Sequence, residues 1–257
     1  MNTVARIALG AWELNPIVLL ACVLAVGAFA TKFRSRARWK YFVAALGITL
    51  FALLSPLNAL ADGVLFSAHM AQHLLLLLVM PALFLLSLPR DFKLRIPGGG
   101  RLAIFGWAAG VGSMCFWHVP VFCDAAATRP AVHAFQACSL VVMGAAFWWP
   151  ILAPSSPERL APGFGIVYLF TACLACTALG IVLTLTPIEV CPVFRAPLAA
   201  SSWANLRERI GATQDREIGG LLMWLPMCLV YLSAIIVEVG RWLAVPTKSG
   251  EDRHEIA

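Results

Sequence analysis

The chain has 257 residues, 61% of them hydrophobic and 12% charged, with a formal net charge of +6 and a mean hydropathy of +0.84. This profile excludes a soluble globular domain and fits a polytopic helical membrane protein. Long continuous apolar runs exclude a porin-like barrel, whose segments alternate in polarity. Most basic residues fall in short loops between the runs, so the positive charge is an orientation signal and implies no nucleic-acid partner.

In chain order, seven apolar segments predict an all-α bundle of seven transmembrane helices forming a single domain over residues 1–257. They lie near 14–31, 39–57, 64–88, 102–119, 131–152, 163–187 and 217–244. Arg6, the apolar core that follows and "AFA" at 28–30 mimic a signal peptide. The basic stretch "TKFRSRARWK" directly behind them marks an uncleaved first span instead. Pro120, Pro150 and "PGGG" at 97–100 punctuate the segments. Trp12, Trp39, Trp117, Trp148, Trp149 and Trp242 fall near span ends, as in an aromatic belt.

Alternate loops differ in basic charge. One side holds 13 Lys and Arg: Lys32, Arg34, Arg36, Arg38, Lys40, Arg90, Lys93, Arg95, Arg101, Arg159, Arg241, Lys248 and Arg253. The other side holds six: Arg6, Arg129, Arg195, Arg207, Arg209 and Arg216. The expected orientation has the N-terminus outside and the C-terminus in the cytoplasm.

With that orientation, four of the five histidines gather at the outer face. His69 and His73, at i and i+4, share one side of the third span, with Met80 continuing it. His73 lies roughly 13 Å below the start of that span. His118 ends the fourth span, with Met114 and Cys115 on its side. His133 opens the fifth span and is followed by Gln136. Asp215 stands at the entrance to the last span, with Met223 about 12 Å deeper. Polar groups in hydrocarbon are costly and mark sites. Imidazole with thioether suits copper, Cu(I) especially. The expected metal residues are His69, His73, His118, His133, Asp215, Met114 and Met223. Opposed histidines on facing spans also leave open a haem-binding membrane oxidoreductase, and a structural subunit of a membrane complex would need no metal at all. His254, in the tail, is a solvated residue.

The eight cysteines show no disulfide-framework or zinc spacing. "CLAC" at 173–176, with Thr177, Gly180 and Thr184, reads as a small-residue packing stripe. Cys123 and Cys191 lie in outer loops, where a disulfide and an accessory ligand both remain open.

"HMAQHLLLLLVMPALF", "WHVPVFCDAA", "AVHAFQACSLVVMGAAFWWP" and "DREIGGLLMWLP" occur in an order that resembles the multi-spanning CtaG-type cytochrome c oxidase assembly factors. The resemblance covers roughly residues 40–245. It implies a non-enzymatic protein of the bacterial inner membrane that helps to build a haem–copper oxidase by handling copper. Its partners would be oxidase subunits and a periplasmic copper donor. The family's histidines fall on His69, His73, His118 and His133, its aspartate on Asp215, and its Met–Trp pair on Met223 and Trp224. Two positions depart. The family's His-x-x-Glu-His reads "HAFQA" here, with Gln136 and Ala137, and its Asp–Gln pair reads Asp215–Arg216.

Overall fold

A computed structural model describes residues 12–33, 37–94, 99–185, 191–196 and 203–244. Arg6 and His254 lie outside these residues, as do the end of the sixth expected span and the basic residues of the tail beyond 244. No strand occurs among the described residues, and the helices are bounded largely by proline. Proline costs nothing at a helix's first position, where its missing N–H would have no partner anyway.

Helix α1 spans Pro16–Phe33, opened by Asn15, whose side chain accepts from the Ile17 amide at 3.0 Å. It is exposed nearly throughout. Only Phe29 is buried, stacked on Phe42 with centroids 3.9 Å apart. Helix α2, Trp39–Leu54, ends sooner than the apolar run suggests. Ser55 caps the short α3, Pro56–Ala61, and Pro56 cannot continue the helix before it. Gly63, at φ 75°, then turns the chain back.

The third apolar segment comprises α4 (Phe66–Leu74), a π-helical turn (Leu75–Val79) and α5 (Met80–Ser87). Pro81 supplies a physical reason for the wide turn. It lacks an N–H for the Leu77 carbonyl and would collide with it in a regular α-helix. The neighbouring carbonyls find other company. Leu78 accepts from the Trp148 indole at 2.9 Å, and Leu77 packs directly on Gly144. The π turn also breaks the register of one continuous α-helical face, so Met80 does not simply extend the His69–His73 stripe.

Helix α6 (Gly99–Trp117) bends by 76° into α7 (Pro120–Thr128). Helix α8 is Pro130–Leu152, α9 is Pro162–Leu185, α10 is Ala204–Ile210 and α11 is Ala212–Leu243. Five helical segments are long and apolar enough to cross a membrane: α1, α4 through α5, α8, α9 and α11. The bent α6–α7 pair makes a sixth, and α2 is a shorter apolar helix of 16 residues. The chain is thus an all-helical, multi-pass membrane protein.

Two contacts answer questions the sequence leaves open. Cys123 on α7 and Cys191 are joined as a disulfide, and Asp124 accepts from the Val193 amide at 3.1 Å beside it. The stripe from "CLAC" faces α11: Gly180 packs on Trp224 and Thr184 on Gly220, while the Cys173 and Cys228 sulfurs approach to 3.0 Å.

At Gly144, a Cβ would meet the Leu77 carbonyl itself, which belongs to backbone and cannot swing away. Gly144→Ala is therefore expected to destabilise the bundle by about 1–3 kcal/mol. Gly112→Ala, into open space, should leave stability nearly unchanged. Thermal unfolding of both variants in detergent checks the contrast.

Candidate metal centre between the third, fourth and fifth apolar segments

The site begins with a fixed helix end. Asp215, in the first turn of α11 and 4% exposed, points its carboxylate at the start of α4. It accepts from the Phe66 amide at 2.7 Å, the Ser67 amide at 3.0 Å and the Ser67 hydroxyl. A carboxylate on orphan amides at a helix N-terminus gains from both hydrogen bonding and the dipole. These contacts give Asp215 an anchoring task, and its oxygens are engaged there rather than beside the imidazoles.

One turn below, His69 is fully buried, with Nδ1 3.3 Å from the Ala61 carbonyl. His73, 1% exposed, has no hydrogen-bond partner on either nitrogen. The two rings stand 4.3 Å apart, centroid to centroid. His118, in the bend between α6 and α7, brings its ring within 5.6 Å of His73. His133, from α8, comes within 6.4 Å of His69. The four histidines expected from sequence therefore do meet in space.

Their hydrogen bonds assign the tautomers. A carbonyl can only accept, so His69 and His118 each carry their proton on Nδ1, His118 giving it to Met114 O at 2.6 Å. Gln72 donates from Nε2 to Ala52 O and to Asn58 Oδ1, both at 2.9 Å. Its Oε1 is then the acceptor for His133 Nε2, also at 2.9 Å, and the proton of His133 sits there. In the neutral forms, Nε2 of His69, Nε2 of His118 and Nδ1 of His133 are bare, and His73 has one bare nitrogen whichever tautomer it takes. Bare imidazole nitrogen is the metal-binding form. Among the described residues, no three His, Cys, Asp or Glu side chains already stand as a metal's ligand group. His73, which no hydrogen bond holds, is the ring freest to complete one.

The methionines divide differently from the sequence expectation. Met114 and Met223 are each 1% exposed, but it is the carbonyl of Met114 that touches His118. The thioether beside the His118 ring is that of Met70, with Sδ 3.1 Å from Nε2. Cys115 does not share the inward side of α6; it is exposed. Gln136, 1% exposed with neither amide atom hydrogen-bonded, lies against His73. Sequence reading misses Met70, Gln72 and Asn58. The available signal for Gln72 was an uncharged polar residue inside an apolar span, three positions past His69.

A family model described as cytochrome c oxidase caa3 assembly factor (Caa3_CtaG) matches residues 20–244. No curated protein and no solved structure matches the chain.

Asp215→Ala would leave two amides at the start of α4 without their acceptor, and is expected to cost about 1–3 kcal/mol. Asp215→Asn keeps an acceptor oxygen but loses the charge, so its cost should be smaller. Unfolding of the two variants in detergent measures the difference. Equal stability of Asp215→Ala and the parent protein would remove the anchor.

Proposed function

The chain belongs to the cytochrome c oxidase caa3 assembly factor family, and from that premise we propose that it carries copper for the oxidase under construction. The observation that carries the reading is the convergence of four imidazoles, three buried and that of His133 half-buried, each with a nitrogen that no proton occupies in the neutral form. A cation that accepts neutral nitrogen donors is a natural guest for such a cluster. The Met70 thioether beside the imidazoles makes the donor set soft, which favours copper over magnesium or calcium.

The task fits holding and transfer rather than catalysis. His69, His118 and His133 are each fixed by a hydrogen bond to a carbonyl or amide, which orients the ring and raises its basicity as a ligand. His73 and Gln136 carry no such restraint. A site with some rings fixed and one free can bind a cation and still release it to a partner.

We place this site at the periplasmic face of the bacterial inner membrane. The 13-to-six distribution of basic residues supports that placement. Counting α2 and the bent α6–α7 pair as crossings gives seven spans, with the N-terminus outside. Copper would come from a periplasmic donor and leave toward oxidase subunits at the same face.

Detergent-purified His73→Ala should retain markedly less copper than the parent, whereas His254→Ala should retain as much. Metal analysis of the folded fractions decides this, and equal copper in both variants would remove His73 from the site.

The orientation has its own check. Cys123 and Cys191, being paired, should react with a membrane-impermeant maleimide on intact spheroplasts after mild reduction and not before. Labelling that needs lysis even after reduction would invert the topology.

A further inference from the structure

We propose that Met70 Sδ and His118 Nε2 are co-ligands of one Cu(I) ion, and that this pair selects the reduced metal. The inference rests on the copper reading above and identifies which of the chain's sulfurs takes part.

No proton mediates the contact between these two atoms. His118 gives its Nδ1 proton to the Met114 carbonyl at 2.6 Å, so Nε2 carries a lone pair. A thioether has no proton to offer. Nε2 and Met70 Sδ nevertheless approach to 3.1 Å, with both side chains buried. Two acceptors facing each other in the interior gain nothing from the contact and lose what water would have given each. A second proton on His118 would satisfy the pair only by placing an imidazolium in the buried interior of the bundle. A soft cation shared by the two lone pairs resolves the contact without that cost.

The elements hold the pair in place. Met70 is one helical turn past Phe66, whose amide Asp215 anchors, and its side chain packs beside Gly219 of α11, where a larger residue would collide. His118 is fixed from the other side by the last turn of α6. The His73 ring, 5.6 Å from that of His118, is near enough to supply a third donor by rotation. Sulfur with one or two imidazoles suits Cu(I), whereas Cu(II) prefers tetragonal nitrogen and oxygen sets.

The test loads the full-length protein in detergent with Cu(I) under ascorbate and records copper X-ray absorption. It is paired with competition titration against a Cu(I) chelator and a separate Cu(II) titration. The parent should show a sulfur shell. Met70→Leu, close in volume, should lose that shell and weaken Cu(I) by more than about 100-fold, beyond the usual loss for an indirect partner. Its Cu(II) affinity should fall much less. The Met114→Leu/Met223→Leu double variant should keep the sulfur shell, which tests the assignment even if Met70→Leu does not fold. Cu(I) bound by the parent without sulfur, or a sulfur shell that persists in Met70→Leu or vanishes in the double variant, would overturn the proposal while leaving the copper reading standing. A parent protein that binds neither Cu(I) nor Cu(II) would overturn both.

Discussion

The bond between Asp215 and the first turn of Phe66–Leu74 sets the depth at which everything else in the site is built. In a bilayer, the open end of a helix must find its hydrogen bonds in protein or at the interface. Here the last helix supplies them to the third apolar segment, across 149 positions of sequence. Once Phe66 is held, His69, Met70 and His73 follow at roughly 5, 6 and 10 Å along the helix, by its rise alone. Their donors therefore stand at defined heights against α6 and α8.

A second constraint comes from Pro81. By forcing a π turn below His73, it exposes carbonyls that a regular helix would have used itself. Gly144 and Trp148 of α8 take up the space and the hydrogen bond that result. This is close backbone packing of the kind small residues permit in membranes. It brings α8 against the π turn and Met80–Ser87, and the outer end of α8 carries His133 to the Gln72 side chain beside the histidine pair. Helix shape and site geometry are thus one problem here, because the same residues that relieve the proline clash also align the fifth segment.

The helices were legible because apolar runs and prolines announce them. The four histidines stood out for a related reason: polar side chains in such runs are rare enough to single out. Asp215 was legible as an acid at the entrance to the last span, and was expected there as a metal residue; it was not legible as an anchor, since nothing local to "DREIGG" names a partner so far away in the chain. Methionine gave the weakest signal. Met70, Met114 and Met223 look alike in sequence, and only the fold distinguishes a sulfur beside an imidazole from one packed in the core. Cys123 and Cys191 left two readings open until the bend at Pro120 carried α7 across to the segment at Cys191.

The contrast between Gln72 and Gln136 separates the hydrogen-bonded part of the polar interior from the unpartnered part. Gln72 uses its oxygen and both its amide hydrogens, tying α2, α3 and His133 into one network. Such a saturated group is costly to disturb, so the His133 ring keeps its tautomer and its angle. Gln136 is equally buried but uses none of its capacity, and the His73 it touches is also unpartnered. Unpaired polar atoms in the same buried spot each carry a desolvation penalty that packing does not repay. A fold that saturates one glutamine so completely had the means to saturate the other. The unspent donors and acceptors around His73 are therefore what supports placing the proposed copper site there.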